Sequence, residues 1–487
     1  MISFKQAGSA LLWQSLQHIG VKLIFLARLL VLARLLSPDD FGLLAIASVA
    51  IDILMRITDF GMIPALVQRV EANDAHYDAA WTVGVVRALV VSGVTLVAAS
   101  LVSTVFAEPR AIDIIRVLAL RPIIDAAASI KVAELTRELN FRSLAFMKIP
   151  KALANTLVSI VLAPWLGVWA LVAGTLAGPS AYMILSYVLA PYRPRLNLDF
   201  GAAQSLIRFG RWIFLTGLIA MAGQSLLRAI ISRELGATEL GLYYLAASLA
   251  FLPAEVASQV VGEVSFPFYA RLQTDVKQVA LAFKSILTSL AVLIIPSSGL
   301  LIALTPSLVD TILGSQWEGT APIIRVLALA NIIGLLGETV GPILRGTGRP
   351  AKAFFSSAVQ YTFLVVFVWG LAQRFGVVGA AIAWLPAIFA SQIANLIFIR
   401  QILPNPFTGM RLSILSIAAV SVMVTVIALY VDIMINGLAG LIVAGLLGVA
   451  TSGAVFWILE RRFSIGLSVG LARAFPQVAT WMGLPRR

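Results

Sequence analysis

The heptapeptide IIRVLAL occupies residues 114–120 and recurs unchanged at residues 323–329, which is 209 residues further along the chain. The same spacing relates a Gly-Val pair at 167–168 to a Gly-Val pair at 376–377. Seven matching residues in an apolar sequence could arise by chance, but a second match at the same spacing indicates duplication. The pattern therefore predicts a chain built from two similar halves.

The composition is typical of a membrane protein. Of the 487 residues, 60% are apolar and only 12% are charged, and the mean hydropathy is +0.96. A water-soluble protein of this size needs far more polar side chains to cover its surface. The chain has no cysteine and only two histidines, which excludes disulfides, zinc fingers and thiol nucleophiles, so that neither a metal site nor a cofactor is expected. The net charge of +13 is attributed to cytoplasmic loops rather than to nucleic-acid binding.

Apolar stretches long enough to cross a bilayer recur along the whole chain. They predict an all-α polytopic membrane protein with about fourteen transmembrane helices. The predicted bounds are 9–33, 40–66, 78–106, 111–135, 143–165, 167–190, 209–232, 240–266, 281–304, 320–344, 352–373, 377–400, 411–432 and 437–459.

The distribution of Lys and Arg between the links predicts the orientation. With the N-terminus inside, the inner segments hold twenty-two of these cations, and the outer segments hold only four, namely Arg34, Arg110, Arg233 and Arg374. Cytoplasmic loops of membrane proteins retain Lys and Arg, so both termini are predicted to be cytoplasmic. The expected location is the bacterial inner membrane.

A second pair of segments extends the repeat toward the N-terminus. RLLSPDDFGL at 34–43 resembles RELGATELGL at 233–242, with a spacing of 199 residues. Six predicted helices separate equivalent points, so the halves are parallel repeats related by an axis along the membrane normal. Such halves form two lobes around a central cavity. The predicted divisions are an N-lobe at 1–200, a C-lobe at 201–404, an extra helix pair at 405–460 and a basic amphipathic cytoplasmic tail at 461–487.

Two motifs near the N-terminus carry a family resemblance. ARLLSPDDFGL at 33–43, followed by DFGMIPALVQR at 59–69, resembles the opening of polysaccharide transporters. These belong to a superfamily that also contains multidrug and toxin extruders and the peptidoglycan-precursor flippase. The LSPDDFG form is most similar to the exopolysaccharide branch, such as colanic-acid-type flippases. The arrangement of six plus six helices with two added helices extends the resemblance over essentially the whole chain.

The first motif also has a structural interpretation. Ser37 can cap the second helix, and Pro38 suits its first position. Acidic residues at 39 and 40 would complement the positive end of the helix dipole. Gly42 and Gly241, which the repeat makes equivalent, would then permit close approach of helices. We expect this motif to stabilise the fold rather than to contact a ligand.

Cations at membrane depth are the strongest candidates for a binding site, because such groups are costly and usually face a cavity or a partner. The repeat relates Arg28 to Arg228 and Arg116 to Arg325 within one residue. Guanidinium groups bind phosphate through a bidentate fork, and an ammonium acts as a point charge. The candidate residues for the pyrophosphate and sugar are Lys22, Arg28, Arg56, Arg116, Arg121, Arg228 and Arg325.

Acids at membrane depth are candidates for coupling to protons or sodium ions. Asp52, Asp59 and Glu255 are the residues considered. The alternative is that these acids pair with cations and fix packing, because Asp52–Arg56 and Arg121–Asp125 are four residues apart on one helix face. Five of the cations, in contrast, have no obvious acid one turn away in their own helix: Lys22, Arg28, Arg116, Arg228 and Arg325.

The resemblance implies a flippase that moves undecaprenyl-pyrophosphate-linked oligosaccharide units from the cytoplasmic to the periplasmic leaflet for exopolysaccharide, capsule or O-antigen synthesis. It would act by alternating access of two lobes around a cationic cavity. Its expected partners are this lipid-linked oligosaccharide, membrane lipids, protons or sodium ions as candidate coupling ions, and a polysaccharide polymerase or export machinery, with no nucleic acid.

Three alternatives remain open at this point. A cation-coupled multidrug extruder would have twelve helices and would favour an acidic cavity, and a peptidoglycan-precursor flippase would have fourteen helices and cavity arginines. A membrane enzyme such as a polymerase or ligase would need catalytic groups on a large outer loop. The predicted outer links are short and carry no nucleotide-binding or Ser/His/Asp motif, so an enzyme is not expected.

Overall fold

In a computed structural model, all the regular secondary structure of the described residues is helical, which confirms the all-α, multi-pass membrane fold. They are 4–58, 66, 74–138, 140–196, 207–259, 269, 275–403, 405–435 and 437–463. The helices in chain order are α1 (Phe4–Leu35), α2 (Pro38–Ile57), α3 (Asp74–Phe106), α4 (Ala111–Leu118), α5 (Arg121–Ala126), α6 (Val132–Arg137), α7 (Phe141–Leu166), α8 (Val168–Leu189), α9 (Ile207–Leu235), α10 (Ala237–Ala250), α11 (Leu252–Gln259), α12 (Val276–Ser307), α13 (Thr320–Gly346), α14 (Pro350–Ile382), α15 (Trp384–Arg400), α16 (Arg411–Ile435) and α17 (Gly437–Phe463).

The chain forms two compact units, Met1–Tyr244 and Leu245–Arg487. The predicted lobes, with their boundary at 200/201, and the separate helix pair remain predictions. The predicted amphipathic tail lies outside the described residues from 464 onward, as does Asp59.

Ten helices in the described part of the chain are long and apolar enough to cross a bilayer, and an eleventh span results if α10 and α11 are counted together. These two helices meet at a bend of 42°. The remaining predicted spans correspond to α2, to the short helices α4–α6 and to α15, which has seventeen residues. The count of fourteen therefore stays a prediction.

One predicted helix is wrong in form, because 111–135 is broken into α4, α5 and α6. Pro122 lacks the backbone N–H that a continuous helix needs, and α5 starts just before it. Further along, the backbone N–H of Ser129 donates to Ser186 Oγ at 2.8 Å, so this segment bonds to α8 rather than to its own turn. The repeat places Asn331 where the first half has Pro122, and α13 continues through it unbroken.

The Gly-Val pairs of the repeat mark equivalent breaks between helices. Gly167 separates α7 from α8 with φ 54° and ψ −129°. Gly376 interrupts α14 with φ 61° and ψ −147°. Both conformations are strained for residues with a Cβ, which explains why the two positions are glycines. The agreement supports the repeat locally, and the repeat as a whole stays a prediction.

The start of α2 is capped as predicted. Ser37 Oγ accepts from the backbone N–H of Asp40 at 3.3 Å, and the Asp40 carboxylate accepts from the backbone N–H of Ser37 at 3.0 Å. Pro38 occupies the first turn. This reciprocal pair satisfies N–H groups that a helix start leaves unbonded.

In the second unit, the last two helices attach to α12 through apolar packing. Leu300 of α12, Val424 of α16 and Ala444 of α17 belong to one buried cluster. Gly448 brings α17 close to α12, because a Cβ there would lie 2.6 Å from Leu300 Cδ2.

Candidate translocation site

Four charged side chains of the first unit form a connected chain across three helices. Arg121 of α5 lies between two carboxylates, with Nη1 4.0 Å from Asp52 Oδ1 and Nε 3.6 Å from Asp125 Oδ2. Lys151 of α7 reaches the other oxygen of Asp125 at 3.4 Å. We call Asp52, Arg121, Asp125 and Lys151 the Asp125 network.

Two further cations from the first unit adjoin this network. The charge of Arg228 on α9 interacts with the Asp52 carboxylate. Arg56 lies one turn beyond Asp52 on α2, and its guanidinium packs against Gly217 of α9. A Cβ at Gly217 would lie 2.3 Å from Arg56 Nη2, so a larger residue there would displace the guanidinium. Cations therefore outnumber acids four to two among these residues.

The Asp125 network lies at membrane depth and is partly exposed. Lys151 lies ten residues into α7, about 15 Å from the start of the helix. Half of the Asp52 side chain is exposed (53%), as is about a third of the Arg121 side chain (35%). Exposed charges at this depth are stable only where they face a water-filled cavity rather than lipid. The network is therefore a candidate lining of a polar cavity.

Arg28 lies at a separate, small and mainly apolar cavity of about 20 Å³ in the same unit. Its lining comprises Phe25, Leu29, Leu32, Phe41, Leu44, Leu171 and Tyr244. The Arg28 Nε is buried, and within the described residues no group accepts a hydrogen bond from it. A guanidinium held in such surroundings has donor capacity left for an anion.

Two pairing expectations are corrected by the geometry. The ion pair of Asp52 is with Arg121 of another helix rather than with Arg56, since α4 packs against α2 and Arg121 lies just beyond the end of α4. Arg116 does have an acid one turn away, because its Nη1 lies 3.1 Å from Asp113 Oδ1 on the exposed face of α4. The expected Arg121–Asp125 pair is confirmed at 3.6 Å.

The other candidates lie on helices outside the Asp125 network. Lys22 is half-buried on α1. In the second unit, Arg325 is exposed and donates from Nε to the Ile302 carbonyl at 3.4 Å, and Glu255 is exposed on α11. The assignment of these residues to substrate or ion binding stays a prediction.

The second unit has its own polar contacts between helices. Ser258 of α11 donates to Glu338 of α13 at 2.5 Å. Asn331 Nδ2 donates to the Ala250 carbonyl at 2.6 Å, where the bend between α10 and α11 frees a backbone acceptor. Across α14 and α15, Ser356 donates to Asn395 Oδ1 at 2.7 Å. The Asn331 contact stabilises the bent helix pair, and the Ser356 contact joins α14 to α15 in the buried part of the unit.

Sequence reasoning missed Lys151 and the central position of Asp125. The available signal was a Lys eight residues into a predicted span, directly after Pro150. A search for partners within one helix could not find it, because its carboxylate lies on another helix. Within the described residues, no three His, Asp or Glu side chains come together to hold a metal ion.

Comparison with known proteins shows the family of this chain. The family model for "Polysaccharide biosynthesis protein" matches residues 31–322. Lipopolysaccharide biosynthesis protein WzxC of Escherichia coli is 23% identical over 407 residues, which cover 82% of this chain and 80% of that protein. Succinoglycan biosynthesis transport protein ExoT of Rhizobium meliloti is 25% identical over 350 residues, which cover 72% and 71%.

Solved structures show the same fold at low sequence identity. The lipid II flippase MurJ in an inward closed conformation has a TM-score of 0.73 at 13% identity, over 92% of this chain and 98% of that chain. An inward-facing multidrug resistance MATE family transporter of the MOP superfamily has a TM-score of 0.63 at 16% identity, over 80% and 96%. The chain therefore belongs to the polysaccharide biosynthesis protein family, and its fold is that of the solved MOP superfamily transporter.

Proposed function

We propose that this protein is a flippase for undecaprenyl-pyrophosphate-linked oligosaccharide repeat units. It translocates them from the cytoplasmic to the periplasmic leaflet of the bacterial inner membrane, for exopolysaccharide, capsule or O-antigen synthesis. Relatives named for lipopolysaccharide and succinoglycan biosynthesis support this substrate class. The sugar and the two phosphates pass through the polar cavity while the polyprenyl chain stays in lipid.

The observation that carries the proposal is the excess of cations around the Asp125 network. Among the described residues, this group combines the four cations Arg56, Arg121, Lys151 and Arg228 with the two acids Asp52 and Asp125. A net positive cavity favours entry of a diphosphate into a space of low dielectric constant, where attraction between opposite charges is strong. The same excess opposes the cationic substrates that an extruder of drugs exports, so the flippase is favoured over that alternative.

Arg121 is the residue best placed to exchange partners during transport. Its guanidinium is shared by two carboxylates at 3.6 Å and 4.0 Å, which are long for charge-assisted hydrogen bonds. A diphosphate oxygen can bind the same fork bidentately and replace the weaker contact to Asp52. Asp125 meanwhile keeps Arg121 and Lys151 on the same side of the cavity. Substrate binding then changes the contact between α2 and α5.

Alternating access of two lobes would expose this cavity to each leaflet in turn. Both termini lie in the cytoplasm in this proposal, since the predicted inner links carry most Lys and Arg. Protons or sodium ions are the proposed coupling ions, with Asp52, Asp59 and Glu255 as candidate ligands. A polysaccharide polymerase or export machinery would receive the product.

A turnover experiment separates transport from chemistry. Purified protein is reconstituted into vesicles with a radiolabelled lipid-linked oligosaccharide, and an added glycosidase reports which leaflet holds the sugar. We expect the glycosidase to cleave the glycolipid that started in the inner leaflet, because the protein moves it to the outer leaflet. In a sample without glycosidase, the recovered glycolipid should be chemically unchanged. No transfer above protein-free vesicles, or a chemically altered glycolipid, would contradict the proposal.

A further inference from the structure

Three side chains from α1 and α7 form an exposed cation and aromatic cluster. The guanidinium carbon of Arg142 lies 5.9 Å from the ring centroid of Trp13 and 5.9 Å from that of Phe146. The two rings are 6.1 Å apart and tilted by 38°. We call these residues the Arg142 cluster. Stacking over two rings fixes the guanidinium and leaves its N–H edge directed away from both of them.

The cluster stands at one end of an apolar ridge along α7. Phe146 is 52% exposed, and the ridge continues one to two turns at a time through Leu153, Leu157, Val161 and Trp165. Exposed stripes on α1, at Leu16, Ile19 and Leu23, carry the same apolar character. A continuous apolar surface of this length on a membrane protein faces the acyl chains of lipid.

The length of the ridge sets the depth of the cluster in the bilayer. Phe146 and Trp165 are nineteen residues apart, which corresponds to about 28 Å along a helix and so to the thickness of the hydrocarbon region. Arg142 lies one turn before Phe146, about 6 Å further out. That depth is the level of the lipid phosphates, and Trp165 marks the opposite interface, where tryptophan is enriched.

We propose that the Arg142 cluster is a binding site for the headgroup phosphate of an anionic glycerophospholipid, whose acyl chains lie along the ridge of α7. The guanidinium supplies the charge complementarity, and the rings of Trp13 and Phe146 cover the glycerol region. Within the described residues no carboxylate pairs with Arg142, so an anion meets no internal competitor. The site is separate from the Asp125 network and does not depend on the proposed transport function.

Native mass spectrometry of the purified full-length protein tests the site. The protein is titrated with phosphatidylglycerol and, separately, with phosphatidylcholine of the same acyl chains. We expect Arg142→Gln to weaken the binding of phosphatidylglycerol by about fivefold, the effect of one interfacial cation, while phosphatidylcholine binding does not change. Arg374→Gln is the matched control, because Arg374 is an exposed cation of the second unit, at the end of a predicted span.

Three further results decide the proposal. Phe146→Leu keeps the surface apolar and so leaves the fold intact. It should also weaken the binding of phosphatidylglycerol, because it removes a ring beneath the guanidinium. Equal phosphatidylglycerol affinity in wild type, Arg142→Gln and Phe146→Leu would overturn the site. In a competition experiment, equimolar undecaprenyl phosphate is added to the protein with bound phosphatidylglycerol. If it displaces phosphatidylglycerol from wild type but not from Arg142→Gln, the cluster binds the lipid carrier, and the phospholipid is overturned as its occupant.

Discussion

Gly42 and Gly241 pack reciprocally at the starts of α2 and α10. A Cβ at Gly42 would lie 1.9 Å from the Ala237 carbonyl oxygen, and a Cβ at Gly241 would lie 1.7 Å from the Pro38 carbonyl oxygen. The repeat spacing of 199 relates position 38 to 237 and position 42 to 241. Gly42 contacts Ala237, and its repeat equivalent Gly241 contacts Pro38, the repeat equivalent of Ala237. The two contacts are therefore related as in a two-fold interface. This confirms the close helix approach that the motif predicts.

The first prediction concerns this glycine contact. Gly42→Ala and Gly241→Ala should each lower the melting temperature by several degrees, because a methyl group at either position meets backbone rather than a flexible side chain. The measurement is thermal unfolding in detergent, followed by tryptophan fluorescence. Gly93→Ala is the control, since nothing lies within 4 Å of a Cβ there. Equal melting temperatures for all three variants and wild type would contradict the packing.

The second prediction concerns acid stability at the link between α3 and α4. Arg110 donates to Glu108 at 2.7 Å and 2.8 Å and to Asp39 at 2.8 Å and 2.9 Å. The hydrogen bond from Arg110 holds the pKa of Glu108 below its ordinary value, although burial acts in the opposite direction. Because the folded pKa is the lower one, the stabilisation is complete above the unfolded pKa of about 4.3 and is lost as the pH falls through the folded value.

We therefore expect wild type to melt higher than Glu108→Gln at about pH 6, and this difference to shrink as the pH is lowered below about 4. Glu318→Gln serves as the control, because Glu318 is an exposed acid in a link of the second half. A difference between wild type and Glu108→Gln that stays constant over this pH range would show that the ion pair contributes no stability.

The third prediction concerns the Asp125 network. Asp125→Asn leaves Lys151 and Arg121 without their shared carboxylate and should cost about 1–2 kcal/mol of unfolding free energy, less than a fully buried pair because these groups are partly exposed. The additional change Lys151→Met removes one unpaired cation, so the double variant should recover part of the loss. Denaturant titration of the two single variants and the double variant measures the coupling.

An exposed pair provides the comparison for that cycle. Asp113→Asn breaks the pair with Arg116 on the surface of α4 and should change stability by less than about 0.5 kcal/mol. Additive effects of Asp125→Asn and Lys151→Met would mean that the two side chains do not interact in solution.

The fourth prediction concerns orientation. The chain has no cysteine, so single cysteines can be introduced without background. With a membrane-impermeant maleimide, Ser315→Cys should be labelled only from the periplasmic side and Pro194→Cys only from the cytoplasmic side. Both positions are exposed in links between helices. Labelling of Ser315→Cys only from the cytoplasmic side would contradict the predicted topology.

Most of the features that the sequence predicted correctly depend on interactions between residues close together in the chain or on the repeat. The cap at Ser37, the glycine contact of Gly42 and the break at Gly376 each depend on residues within a few positions, or on the repeat. The Arg121–Asp125 pair lies within one helix turn, so spacing alone identifies it. The family followed from the motif around residues 33–43 and is confirmed by the comparisons.

Long-range packing decided what the sequence could not predict. The partner of Asp52 is 69 positions away at Arg121, and Lys151 reaches Asp125 across 26 positions. The spacing of residues within one helix cannot predict such pairs, because the two partners lie on different helices. The break at Pro122 in the predicted helix 111–135 could have been predicted from the proline, which lacks a backbone N–H. The prediction of one span followed the apolar composition of the segment instead.

The central claim is that cations at membrane depth bind the diphosphate of the lipid carrier, and transport by Arg28→Ala, Arg228→Ala and the double variant tests it most directly. A charge-assisted contact to phosphate is worth about 1.5–3 kcal/mol, so each single variant should lower the rate of lipid-linked oligosaccharide transfer at subsaturating substrate by about one to two decades. Arg228→Lys should recover only part of this rate, because the fork is lost while the charge remains. Arg233→Ala, on the same helix but at its end, should transport like wild type. Wild-type transfer by the folded Arg28→Ala/Arg228→Ala double variant would contradict the cationic mechanism.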